Sequence, residues 1–348
     1  MIEIDGSLGE GGGQILRTAL SLSSLFKKPF RIFNIRKGRK KPGLMPQHLT
    51  SVRAAQLISG AEVIGAEIGS SELTFRPKGI KGGDFFFDTG TAGSTSLVLQ
   101  TIIPALIFSR EKTTVILKGG THVPFSPSFD YIAEVFVPTL KKLGIEVGIT
   151  IESYGFYPKG GGKITAEIFP AKNLKPLRII ERGKVINIRG YSSVGNLPLS
   201  IAERQKDAAI EKICHEVKDL KHLPAIETIN ISTHGQGTFI YLHAESENAH
   251  AGFTALGERG KRAEVVGKEA ASQFVEYYST NAALESHLPD QIVLYLSMAG
   301  EESIFTTSCI TQHLMTNLEI IGQFHKFSYS VKGAIGETGA VKIKSGLV

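Results

Sequence analysis

A pattern repeated three times along the chain constrains its fold more than any single motif does. Each copy runs small-residue loop, helix, strand, second helix, then two strands. In the first copy the loop Gly9–Gly13 leads to a helix near 14–26, a strand near 30–36, a helix near 48–59 and strands near 62–68 and 72–77. In the second, the loop 89–94 leads to a helix near 95–108, a strand near 113–118, a helix around 131–143 and strands at 146–152 and 162–169. In the third, 287–291 opens a helix to about 298, followed by a strand ending before Thr306, a helix from Gln312 and strands at 326–331 and 339–344. The copies are faint as letters, but Gln47-His48-Leu49 and Gln312-His313-Leu314 stand at the same place, the start of the second helix. The expected fold class is α+β, with three α/β repeats of a βαβαββ type.

Between copies two and three the pattern breaks. Residues 184–280 read as a strand at 185–189, a helix near 197–220, strands at 228–233 and 238–245, and a helix near 262–278. Val265, Val266, Ala270 and Phe274 fall at helical spacing and predict a buried face on that last helix. The expected organisation is a repeat body formed by 1–183 and 281–348, with 184–280 as a small inserted α+β domain.

The 348 residues suffice for such an arrangement, and 42% apolar with 21% charged residues describes a globular chain. Two cysteines, Cys214 and Cys309, exclude a disulfide framework and a cysteine zinc site, and fit a reducing, cytoplasmic home. Met1-Ile-Glu-Ile-Asp lacks the basic and apolar regions of a secretion signal. The most apolar run, 97–108, is too short to span a bilayer, so no membrane partner is expected. Net charge is +6 and clustered: Arg31, Arg36, Lys37, Arg39, Lys40 and Lys41 occur with no acid between them, an attractive field for nucleotides or a nucleic-acid backbone. On its own such a block is more often a solvated loop.

Several residues carry candidate chemistry. The glycines of Gly9-Glu10-Gly11-Gly12-Gly13 let backbone N–H groups approach an anion, and Glu10 offers a hard cation a carboxylate. Arg17 follows one turn into the helix. His313 falls in the first turn of its helix, where unpaired N–H groups and the dipole favour phosphate. Pro289 and Asp290 suit a helix start, which explains them structurally, although Asp290 and Gln291 together could read a ribose or base edge. No G-x-x-x-x-G-K-[ST] run occurs, so nucleotide is not held by a Walker loop. His215, His222, His234, His243 and His250 lack metal-ligand spacing.

Over nearly its whole length the chain resembles the RNA 3′-terminal phosphate cyclase family. The matching motifs are Gly9–Arg17, Ile35–Arg39 with Lys41-Pro42-Gly43-Leu44, Gln47-His48-Leu49, Gly93-Ser94 with Leu97–Thr101, and Gly119-Gly120-Thr121. Gly155-Phe156-Tyr157-Pro158 with Gly160-Gly161-Gly162, Ala202-Glu203-Arg204, His287–Gln291 and Thr311–Asn317 complete the set. The resemblance implies a threefold repeat shared with enolpyruvyl transferases plus a small insertion. It further implies a ligase that uses ATP and Mg²⁺ or Mn²⁺ to convert an RNA 3′-phosphate into a 2′,3′-cyclic phosphate through AMP held covalently on a histidine. His313 matches that nucleophile and Glu10 the metal position. Arg17, Arg36, Arg39 and Gln47 match residues around the phosphates; Gln100, Asp290 and Gln291 match nucleotide contacts. Pro127 matches one face against adenine, and His287 stands at the opposite face, where some relatives carry tyrosine. Association into a homo-oligomer is left open. Two alternatives share the fold: a non-catalytic cyclase-like RNA-binding protein of ribosome assembly, which would lack the histidine, and an enolpyruvyl transferase-like enzyme.

Overall fold

The computed structural model describes residues 1–346 and contains four four-stranded sheets among them. Three of these are the repeats, and they are built identically. Repeat one comprises β1 (Ile2–Asp5), α1 (Gly13–Phe26), β2 (Phe30–Phe33), α2 (Pro46–Ser59), β3 (Glu62–Ile64) and β4 (Leu73–Arg76). Repeat two comprises β5 (Gly83–Asp88), α3 (Thr95–Leu106), β6 (Thr113–Gly119), a helical segment formed by α4 (Phe129–Tyr131), a π-turn (Ile132–Phe136) and α5 (Val137–Lys142), then β7 (Val147–Ser153) and β8 (Gly162–Ile168). In both, the first strand runs parallel to the second, the second antiparallel to the fourth, and the fourth antiparallel to the third. A parallel pair needs a crossover, and the first helix supplies it.

Repeat three keeps this topology but is split. Its first strand, β9 (Arg178–Ile179), is followed by the inserted elements β10 (Val185–Gly195), α6 (Leu199–Glu216), β11 (Ala225–Asn230), β12 (Gly237–Ser246), β13 (His250–Leu256) and α7 (Ala263–Ser279). The repeat then resumes with α8 (Leu288–Leu296), β14 (Ser303–Thr307), α9 (Gln312–Phe324), β15 (Phe327–Lys332) and β16 (Gly339–Ser345). β9 pairs parallel with β14, and β16 lies between β14 and β15. The insertion thus interrupts the crossover between a strand and its helix.

The mixed α/β class and every expected helix are present. The opening strands β1, β5 and β9 had no assigned residues: they are short, and two residues of β9 carry no periodicity. β2 stops at Phe33, short of the expected 36, because Asn34 and Arg36 adopt left-handed φ of 55° and turn the chain away. β10 is longer than expected, and β13 was not expected at all: His-Ala-Gly-Phe-Thr-Ala-Leu contains glycine and alanine, which have weak strand preference. The stripe on α7 is Val266, Ala270, Ala271 and Phe274, whereas Val265 is 43% exposed. One residue turns a helix by about 100°, so adjacent valines cannot both face inward.

The helices α1, α2, α3, α8 and α9 pack on one another between the sheets. Leu16, Leu20, Leu99, Ile103, Leu314, Leu318 and Ile321 are essentially inaccessible there. Each such side chain contributes on the order of 1.5–3 kcal/mol. β12 is buried on both faces: Phe239 and Tyr241 join this core, while Ile240 and Leu242 join a second core under α6 and α7. The period of two along the strand ties the insertion to the body. Among the described residues no helix is long and apolar enough to cross a membrane.

Candidate active site

Four helices begin at one place. Gln14 in the first turn of α1 donates from Nε2 to Asp290 Oδ2 of α8 (3.0 Å) and to the backbone oxygen of His313 of α9 (3.1 Å). The N-terminus of α2 also touches α1, since a Cβ on Gly13 would lie 2.3 Å from His48 Nε2. Converging N-termini concentrate unpaired N–H groups and positive dipole ends, a setting for phosphate. Asn317, one turn beyond His313, donates to Asp290 O (2.7 Å) and accepts from Thr18 Oγ1 (2.7 Å), which locks α1, α8 and α9 together.

His313 lies at the mouth of this junction. Its Nδ1 is bonded to Gln14 Oε1, and because the Gln14 amide nitrogen faces only oxygens that accept, the amide oxygen must be the one facing His313. Nδ1 therefore carries the proton, and in the neutral ring Nε2 presents its lone pair outward. Nε2 is 3.2 Å from Glu10 Oε2, and Glu10 is 3.5 Å from Arg39 Nη2. Burial lowers the His313 pKa below the usual imidazole range, with Arg17, His287 and Arg39 acting the same way and Glu10 opposing them. The ring is thus held toward its neutral, nucleophilic form.

Behind His313 a cleft opens between the repeats, lined by Gln14, Arg17, Gln100, Asp290, Gln291 and Asn317, with Leu294 and Tyr295 as its apolar wall. Arg17 is enclosed enough that burial lowers its pKa to about 10 despite the nearby Asp290. Burial raises Asp290 to about 7; Glu285 adds to that rise, while His287 and Arg17 oppose it. Gln100 donates to Gln291 Oε1 (2.6 Å), and Gln291 donates to the His287 carbonyl (2.9 Å). His48 accepts the Met45 backbone N–H at Nδ1 (3.1 Å), and burial with Arg17 and Arg36 nearby lowers its pKa to about 3.

The structure thus brings together His313, Glu10, Arg39, Arg17, Gln100, Asp290 and Gln291. The other candidates lie around them. His287 is exposed at the start of α8. Gln47 accepts from Ser94 N (3.0 Å) and so links α2 to the loop before α3. Arg36 donates to the carbonyls of Lys41 (2.6 Å) and Gly43 (3.1 Å), shaping the basic loop. Pro127 lies in the loop between β6 and α4 and is not part of the cleft lining. Sequence reasoning missed four residues: Gln14, Asn317, Tyr131 and Glu285. Glu285 is buried; it accepts from Tyr131 OH (2.5 Å) and from the N–H groups of His287 and Leu288 (both 2.7 Å), which caps α8. Gln14 and Asn317 sat inside quoted motifs, but only their partners across helices reveal their roles.

A bound divalent cation must fit this donor set. Among the described residues no cluster of three or more acidic, histidine or cysteine side chains could cage one. Mg²⁺ and Mn²⁺ suit a different mode, in which one or two carboxylates share the ion with substrate phosphates and water. Glu10, half-exposed and beside the helix N-termini, fits that mode. A cation there would also relieve the repulsion between its carboxylate and the Nε2 lone pair.

The family model described as RNA 3′-terminal phosphate cyclase matches residues 8–331. Among similar proteins, the RNA 3′-terminal phosphate cyclase of Staphylothermus marinus is 45% identical over 99% of this chain and 98% of its own. That of Sulfolobus acidocaldarius is 47% identical over 96% of this chain and 98% of its own. A relative of the same name, from Koribacter versatilis, is 43% identical over 95% of this chain and 92% of its own. With that model matching residues 8–331 and relatives 43–47% identical over nearly the full length, the chain belongs to the RNA 3′-terminal phosphate cyclase family.

Proposed function

We propose that this protein uses ATP to convert an RNA 3′-phosphate end into a 2′,3′-cyclic phosphate, through AMP carried on His313. The observation that carries the reading is the bond between His313 Nδ1 and Gln14, which turns Nε2 toward Glu10 at the converging helix N-termini. Nε2 attacks the α-phosphorus of ATP; the bond to the β-phosphate oxygen breaks and pyrophosphate leaves. An oxygen of the RNA 3′-phosphate then attacks the same phosphorus and displaces His313. The 3′-phosphate now carries AMP as a leaving group, and O2′ closes on it, losing its proton to solvent as AMP departs. The neighbouring O2′ is already within reach, so ring closure exploits proximity. Neutral imidazole is a competent nucleophile, and the P–N bond it forms is a reactive donor.

Arg17 and Arg39 orient phosphate oxygens, for which arginine's planar fork is suited. Gln100, Asp290 and Gln291 form the nucleotide side of the cleft; the family resemblance assigns the base to Pro127 and His287, both of which lie outside the cleft lining. Arg36 and Gln47 hold the loops that surround the phosphates. Glu10 would hold Mg²⁺ or Mn²⁺, which supplies charge neutralisation at the α-phosphate and pyrophosphate. We assign this chemistry to the body formed by 1–183 and 281–348, with 184–280 as an inserted domain, and to the cytoplasm, where the free thiols Cys214 and Cys309 stay reduced.

The test is incubation with divalent metal and ATP labelled at the α-phosphate. An acid-labile, alkali-stable protein adduct is expected, and it should vanish in His313→Ala. Its absence from folded wild-type protein, or its persistence in the variant, would overturn the reading. RNA with a 3′-phosphate should be consumed, and RNA with a 3′-hydroxyl should not.

A further inference from the structure

The motif Gly155–Gly162 and the loop ahead of α4 carry features that the adenylation chemistry does not use. Phe125 is fully exposed, at 103% of its reference area, and adopts φ +61°. A bulky side chain in the left-handed region is a costly conformation, found mainly where surrounding structure imposes it for a purpose. Tyr157 is 70% exposed on the turn Phe156–Gly160, closed by a bond from Gly160 N to Phe156 O (2.7 Å). The two loops are fastened together: the N–H groups of Thr121 and His122 donate to Gly155 O (2.9 and 3.1 Å).

Both loops stand on a packed aromatic floor. The His122 ring lies 4.0 Å from Phe239 and 5.7 Å from Phe156, and its Nε2 is 2.5 Å from Asp130 Oδ2. Pro124, Pro127 and Pro158 stiffen the loops further. The insertion adds a third exposed ring, His234, within 2.9 Å of where a Cβ on Gly161 would lie, and a Cβ on Gly235 would lie 3.5 Å from the Lys159 side chain. The turn also contacts the loop before α3. A Cβ on Gly160 would meet Thr91 O at 2.5 Å; that loop ends at Gly93 and Ser94, which rest on Gln47.

Exposed rings interspersed with serine and lysine present stacking faces beside a cation rather than an unbroken apolar run of the kind a protein or membrane partner covers. They suit an occupant that is flat, repeated and anionic. Unpaired nucleotides stack on such rings without regard to sequence while a lysine attends the phosphates. We infer that Phe125, Tyr157 and His234, with Lys159, form a stacking platform for the unpaired nucleotides 5′ of an RNA end whose phosphate lies at His313. The inference rests on the proposed function, and it gives the insertion a part in substrate binding.

The test compares wild type with Phe125→Ala, Tyr157→Ala and the double variant; both side chains are exposed, so folding should be unaffected. Self-adenylation with ATP alone should be unchanged. With 3′-phosphate oligonucleotides of two to ten residues, wild-type KM should fall as length grows. The alanine variants should lose that gain, with KM on the long oligonucleotides about five- to a hundred-fold higher and kcat unchanged. Tyr157→Phe, which keeps the ring, should restore the single-site loss. Binding of a 3′-hydroxyl oligouridylate, followed by fluorescence anisotropy, reads the platform without the reaction and should weaken in parallel. Variants that bind that oligonucleotide within twofold of wild type would overturn the platform even if adenylation proceeds. Loss of adenylation in wild type, with ring-dependent oligonucleotide binding intact, would overturn the proposed function and leave the platform standing.

Discussion

Replacing Gln14 with alanine tests how the geometry of His313 is set. The side chain is 7% exposed and makes three bonds: it accepts from His313 Nδ1 and donates to Asp290 Oδ2 and to His313 O. Alanine removes all three. Each lost bond costs stability about 1 kcal/mol, for a total on the order of 2–3 kcal/mol. The effect on chemistry has a separate cause. Without Gln14 the ring can rotate and can place its proton on Nε2, where it cannot attack phosphorus. Loss of the residue that fixes the tautomer of a catalytic histidine can cost about 10⁴-fold in a serine protease, where the lost group is also a full charge. A neutral amide should matter less, and a slowing of about 10- to 100-fold is expected, equivalent to about 1.4–2.7 kcal/mol. Single-turnover labelling of His313 at saturating ATP measures it, with urea unfolding of the same samples as the stability reference. The reasoning is refuted if the folded variant is labelled within about twofold of the wild-type rate.

Three further outcomes are expected. Asn317→Ala removes the bonds to Thr18 and Asp290 O at the meeting of three helices and should destabilise the fold by about 2–3 kcal/mol, read from urea midpoints. Gly9→Ala forces φ +54° on a side chain whose Cβ would lie 2.3 Å from Thr316 Oγ1; a loss of about 1–2 kcal/mol from the backbone alone, with slower labelling of His313, is expected. Stability should fall with acid: burial lowers His48 to about 3 and His243 to about 4. Below about pH 6.5 the unfolded chain takes up protons that the folded one refuses, so stability present above that pH is lost progressively down to about pH 3–4. A thermal midpoint unchanged between pH 7 and pH 4.5 would contradict this.

Much of the architecture is legible in the sequence because it is written locally. Helices α1, α2, α3, α8 and α9 present apolar faces at helical spacing, and Gly12, Pro46 with Gly60, and Pro289 mark ends of α1, α2 and α8. The shared Gln-His-Leu of α2 and α9 shows the repeat directly. β1, β5 and β9 were not legible, since strands of two to six residues are defined by the partner they pair with. The opposite fates of Val265 and Val266 likewise depend on where α7 meets the inserted sheet.

The site divides in the same way. Sequence alone supplied the residue types: an acid and glycines before one helix, a histidine at the start of another, and a basic loop. It could not say that Gln14 and His313, 299 positions apart, share a bond, or that Asp290 is enclosed enough to sit near pKa 7. Both facts come from the meeting of helices from different repeats. Hydrogen bonds and desolvation act over a few ångströms of space, whereas sequence patterns report only what lies a turn or a strand away along the chain. The sequence placed a histidine at a helix start; the packing of α1 against α8 and α9 decided which nitrogen it presents.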